Sequence, residues 1–116
     1  MKKLNVGIAG FGVVGRRRMK CLDNHPHADV VAVCDIELVN IREEESIKYF
    51  KDHNDLLNEK LDVLIVCLPN NIAPSVSVKG LKKGLHVFCE KPPGRSVQDI
   101  KDVIKVQKLF PELKLK

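Results

Sequence analysis

Residues 5–18 read NVGIAGFGVVGRRR, and the way an apolar run gives way to spaced glycines in this stretch decides the fold. Leu4 to Ala9 is a short run of β-forming character, and Gly10, Gly12 and Gly15 follow it in the pattern G-x-G-x-x-G. A helical segment then runs from Val13 to about Asn24. In a strand–turn–helix unit the first glycine permits the tight turn and the second lets the backbone approach a pyrophosphate. The third lets the helix pack closely on the sheet. The helix start presents unpaired N–H groups and the positive end of its dipole to phosphate oxygens.

The same alternation continues along the chain. DVVAVC (29–34) and VLIVCL (63–68) are almost wholly apolar, as strands covered on both faces are. His86 to Cys89 is a further short strand, and LKLK (113–116) begins another. Between them, Asn71 to Lys83 reads as a helix with Pro74 in its first turn and Gly84 at its end. Ser96 is a good N-cap with Asp99 three residues on, opening a helix whose apolar positions are Val97, Ile100, Val103, Ile104 and Leu109. Residues 36–49 are charged and weakly amphipathic, a short helix or irregular crossover. Strands alternating with helices predict an α/β fold: a Rossmann-type parallel sheet with helices on both faces, residues 1–116 forming one domain. Ligands on such sheets bind beyond the carboxyl ends of the strands. The glycine turn, Asp35, Pro69-Asn70 and Glu90-Lys91 each follow a strand, so all four are expected on one edge.

Asp35 stands 20 residues beyond Gly15, where a carboxylate accepts hydrogen bonds from the adenosine ribose of a dinucleotide. It also repels a 2′-phosphate. Glu37 adds to the repulsion, and no Lys or Arg follows until Arg42, so NAD is expected in preference to NADP. Arg18, beside the Gly15–Met19–Leu22 seam, is read as laying its stem along the sheet with its head in water, rather than as a phosphate ligand. Asn70 or Asn71 can N-cap the helix that follows, or Asn70 can approach the nicotinamide-side ribose. Glu90 and Lys91 can be a surface ion pair of little worth, or an acceptor and donor facing the cofactor. Pro92 and Pro93 stiffen the backbone there.

Composition narrows the function classes. The chain of 116 residues has a net charge of +5, yet its basic residues are spread among 15 acids, with one tyrosine and no tryptophan for base stacking. Nucleic acid is not an expected partner. The four cysteines lack C-x-x-C spacing and His25-Pro26-His27 lacks partnering ligands, so neither a disulfide framework nor a metal site is expected. No apolar run approaches the roughly 20 residues a membrane span needs. Met-Lys-Lys enters a strand without a leader pattern, which predicts a cytoplasmic protein.

With these residues in view the chain resembles the glucose-fructose oxidoreductase/inositol dehydrogenase (Gfo/Idh/MocA) family. The likeness runs from NVGIAGFGVVGRRR through VVAVCD and DVLIVCLPNNIA to GLKKGLHVFCEKPPGRSVQD. The combination of P-N with G-x-H-V-x-x-E-K-P is its more specific part. The resemblance implies an NAD(P)-binding Rossmann domain of an oxidoreductase acting on a sugar, cyclitol or nucleotide-linked sugar, and admits a homo-oligomer at full length. It implies that Gly10, Gly12 and the backbone of Phe11, Val13 and Val14 hold the pyrophosphate. Asp35 and Ile36 would line the adenosine, and Leu68, Pro69, Asn70 and Glu90 would flank the nicotinamide half. Lys91 would lie between nicotinamide ribose and substrate and assist catalysis. Ala73 replaces a histidine frequent in the family. The family's acid/base histidine belongs to a second α/β domain, so residues 1–116 are expected to be the cofactor-binding portion of a longer enzyme, inactive alone. The alternative is a module that senses NAD, or binds a partner, without turnover.

Overall fold

The computed structural model describes residues 3–37 and 46–116. Five strands, β1 (Leu4–Ala9), β2 (Ala28–Cys34), β3 (Lys48–Phe50), β4 (Val63–Val66) and β5 (His86–Cys89), form one sheet in the order β3-β2-β1-β4-β5. Every pairing is parallel. The helices are α1 (Val13–Leu22), α2 (His53–Leu57), α3 (Ala73–Lys82) and α4 (Val97–Gln107). The Rossmann-type α/β expectation holds, and no helix among the described residues is long and apolar enough to cross a membrane.

Side chains alternate across the pleat, and the two faces of the sheet carry separate cores. Val6 and Ile8 of β1 and Ile65 of β4 pack with Met19 and Leu22 of α1. Ala9, Leu64 and Val66 face the other way, against Leu56 and Leu57 of α2, Val76 and Leu81 of α3 and Val103 of α4. Ile8, Leu64 and Leu81 are fully buried, each burial worth about 1.5–3 kcal/mol. This explains why the strand sequences are continuous apolar runs: both faces are covered. The α1 face is covered less far out. Phe88 of β5 is 37% exposed, with the Arg18 guanidinium 5.4 Å from its ring centroid.

Helix ends follow local chemistry, with exceptions. The Ser96 hydroxyl accepts from Asp99 N, and Asp99 Oδ2 accepts from Arg95 N, so both side chains tie down the start of α4. Leu109 falls outside the helix and is 72% exposed. At α3 the expected Asn70 or Asn71 cap is not formed. The N-cap is Ile72, without a side-chain cap, and the Pro69 carbonyl accepts from Ile72 N and Ala73 N, both at 2.9 Å. Pro69 ends the strand and its own carbonyl starts the helix.

The crossover expected over 36–49 lies partly outside the described residues, but its end is strand, not helix: Lys48–Phe50 pairs with Ala32–Cys34. Helix α2, capped by the Asp52 carboxylate accepting from Asn54 N at 2.8 Å, was not anticipated. LKLK does join the sheet's edge, as a parallel bridge of Leu115 to Val87 rather than a full strand.

Candidate cofactor site

The strand order reverses between β1 and β4, and the crevice at their carboxyl ends is built by the glycine turn. Gly10 has φ +94°, and its N–H donates to Cys34 O at 2.9 Å. A Cβ there would lie 2.3 Å from Cys67 O, so the turn runs against the neighbouring strand's exit with no room for a side chain. A Cβ on Gly15 would lie 2.0 Å from Gly10 O, which measures how tightly α1 sits on the turn. Gly12 differs: among the described residues nothing lies within 4 Å of a Cβ built on it. It is the N-cap of α1, and the first intrahelical bond is Arg16 N to Gly12 O. The amides of Val13, Val14 and Gly15 therefore precede the helical ladder, and the first turn carries no acid. Open space over Gly12 beside a helix start free of carboxylates fits a pyrophosphate.

Phe11 sits between the first two glycines of the turn. Its side chain is buried, and its N–H donates to Asp35 Oδ2 at 2.7 Å. Asp35 Oδ1 accepts from Glu37 N at 2.9 Å. The acid thus clamps the glycine turn to the end of β2, and each of its oxygens retains a lone pair for a ribose hydroxyl.

Beside Asp35 opens a cleft of about 390 Å³. Asp35, Ile36 and Leu68, all expected to meet the cofactor, line it together. Ile36 is 83% exposed, an apolar side chain at the rim suited to one face of a planar base. Lys51, Asp52 and His53 line it as well, and no sequence pattern pointed to them. The rule that strand carboxyl ends face the ligand would have found them had KYF been recognised as a strand. Burial, then the nearby Lys79 charge, lowers the His53 pKa below its ordinary value, favouring the neutral ring. Lys79 Nζ lies 3.2 Å from His53 Nε2 and donates to Asn54 Oδ1 at 3.2 Å.

Pro69 and Asn70 follow the end of β4, and Glu90 follows the end of β5. Glu90 N donates to Val66 O at 2.9 Å, continuing the β4–β5 ladder. Its carboxylate pairs with the half-buried Arg18 guanidinium. Arg18 therefore does not end in water as expected: it bridges α1 to the end of β5, and Glu90 meets a ligand with one charge partner already in place. Lys91 is exposed one residue further, joined to Pro92 by a cis peptide bond. The structure thus brings Asp35, Ile36 and Leu68 onto one cleft, so Leu68, expected at the nicotinamide half, lies instead with the residues expected at the adenosine. It sets Glu90 and Lys91 apart, beyond β4.

Burial pushes the thiols of Cys34 and Cys67 up to about 11 and about 12, with Glu90 adding to the effect at Cys67, and raises Cys89 as well. An unfolded thiol loses its proton near 9.0, so the folded state binds these protons more tightly. Their contribution to stability is complete below about pH 9 and is lost as pH rises through about 11. Cys21 alone among the four is exposed. At pH 8, iodoacetamide should modify Cys21 in the folded protein and the other three only after unfolding in urea. Two thiols reacting at equal rates in the native state would contradict this burial pattern.

Comparison with known proteins agrees with this fold. The profile of the Gfo/Idh/MocA oxidoreductase family, NAD-binding Rossmann fold, matches residues 4–109. Inositol 2-dehydrogenase of Salmonella typhimurium is 34% identical over 113 residues, covering 90% of this chain and 33% of the relative. The 2,7-anhydro-N-acetylneuraminate hydratase of Escherichia coli is 33% identical over 107 residues, covering 90% and 29%. The crystal structure of scyllo-inositol dehydrogenase from Lactobacillus casei with bound NAD(H) and scyllo-inositol shares the fold. Its TM-score is 0.90 at 23% identity, over 99% of this chain and 36% of that one. The chain spans about a third of the length of the curated relatives it matches.

Proposed function

The chain belongs to the Gfo/Idh/MocA oxidoreductase family through its NAD-binding Rossmann domain, and from that premise we propose that it holds NAD for a dehydrogenase of sugars, cyclitols or nucleotide-linked sugars. The observation that carries the reading is the open space over Gly12 at the start of α1, in a turn that the Phe11 N–H ties to Asp35 of the cleft that Ile36 and Leu68 also line. Bound NAD supplies the hydride acceptor. The chain's own residues bind and orient: the Val13 and Val14 amides on the pyrophosphate, Asp35 on the adenosine ribose, Ile36 and Leu68 against the base. Pro69, Asn70 and Glu90 bound the nicotinamide half.

Lys91, a flexible cation at the end of the Glu90 loop, is assigned to the substrate oxygen and the nicotinamide ribose. Exchange between a hydroxyl and a carbonyl also needs a group that moves the hydroxyl proton. The reading assigns that group to a second domain of the full protein, so residues 1–116 bind NAD without turnover. The hydratase among the relatives supports a second reading for the full protein, in which water is added with no net change in redox state. Product formed without accumulating NADH would select it.

Fluorescence titration tests the reading. NADH should bind saturably and at least about tenfold more tightly than NADPH, since Asp35 and Glu37 face a 2′-phosphate with like charge. Lys91→Ala should change NADH affinity by less than about threefold, as an exposed single contact does. Absence of saturable binding, or tighter NADPH than NADH, would overturn the assignment.

A further inference from the structure

Asp35 is not the only charged group at the adenosine end. In the β2–β3 register Cys34 pairs with Phe50, and Asp35 N donates to Phe50 O at 3.0 Å. Asp35 and Lys51 are therefore the next residues on two adjacent parallel strands, and both line the cleft. Lys51 is exposed, and among the described residues it has no ion-pair partner. The neighbouring acid, Asp52, has its carboxylate committed to the start of α2. Lys79 leans instead on His53 and Asn54. Among the described residues lining the cleft, Lys51 is thus a cation without an ion-pair partner beside the acid assigned to the ribose.

We propose that Lys51 is a second specificity determinant at the adenosine 2′ position, a cation placed to hold a 2′-phosphate that Asp35 overrides. The inference rests on the NAD reading of this cleft. With Asp35 and Glu37 nearby, the local balance of charge still favours a bare ribose, so NADH remains the preferred ligand. Lys51 sets how much NADPH the site tolerates. It does so through a charge-assisted contact with the phosphate that a ribose hydroxyl cannot match. Burial and then Lys79 lower the His53 pKa, so among the described lining residues Lys51 is the standing cation.

The test is direct titration of the wild type, Lys51→Ala and Lys51→Glu with NADH and NADPH, at low and high salt. Lys51 is a surface side chain, so the variants should fold as the wild type does. NADPH affinity should fall about tenfold in Lys51→Ala and further in Lys51→Glu, with NADH changed by less than about twofold. The NADPH loss should shrink as salt rises. In an Asp35→Asn background NADPH affinity should rise, and adding Lys51→Ala should remove most of the gain. Equal changes for both cofactors, or none for either, would overturn the role of Lys51 and leave the NAD site standing. Failure of the wild type to bind either cofactor would overturn the cleft assignment and this inference with it.

Discussion

Gly10→Ala should cost about 3–5 kcal/mol of folding stability, among the largest single-residue effects in the domain. Two independent costs act together. The backbone has φ +94°, which a side chain strains. The new Cβ would also stand 2.3 Å from Cys67 O and 2.7 Å from Cys67 C. Those are backbone atoms of the strand exit next door, so no rotamer change relieves the clash, and β1 and β4 must separate at their functional ends. Gly12→Ala is the internal control. Among the described residues its Cβ meets nothing within 4 Å, so stability should change by no more than about 1 kcal/mol, the scale of N-cap effects. NADH affinity should nonetheless drop at least about tenfold, because the methyl group occupies the room assigned to the pyrophosphate. Urea unfolding and NADH titration on both variants separate the two roles. A Gly10→Ala protein within 1 kcal/mol of wild type would show that the turn is not as tightly seated as described.

Asp35→Ala should weaken NADH binding by about 30- to 100-fold, the scale of losing charge-assisted hydrogen bonds to a ribose. Part of that loss is indirect. The carboxylate also accepts from Phe11 N and Glu37 N, so alanine leaves the Phe11 amide without its partner and loosens the turn that carries Gly12. Asp35→Asn keeps an acceptor for Phe11 while removing the charge. If the acid works mainly through the ribose, Asn and Ala should lose NADH affinity to a similar degree, with Asn more stable. If it works mainly by holding the turn, Asn should bind nearly as the wild type does. An alanine variant with unchanged NADH affinity would remove Asp35 from the site.

The glycine turn, Asp35 and the strands on either side were legible because they are local. Strands β1 and β5 fall at the expected residues: each is a short apolar run ended by turn-forming groups. Strand β3 was missed because three residues, KYF, carry no periodicity. Its pairing comes from β2 rather than from its own sequence, and with it went Lys51 and His53. The Arg18–Glu90 bridge spans 72 positions, and no spacing rule links two such residues before the topology is known. The Asn70 or Asn71 cap failed for a subtler reason. The carbonyl of the proline that stops the strand already satisfies the amides an Asn side chain would have taken.

The central place of β1 has a consequence for how the chain comes to be folded. The first of the five strands in chain order is flanked by β2 on one side and β4 on the other, with Val6 opposite Val63. On the ribosome, at about 5–20 residues per second, β1 and β2 can pair soon after they emerge. The free edge of β1, which carries Gly10 at its end, then waits several seconds for β4. Closing that long loop is the slow, entropically costly step. Until it happens the nascent chain exposes an apolar, unpaired strand edge of the kind chaperones recognise, and the pocket for a dinucleotide does not yet exist.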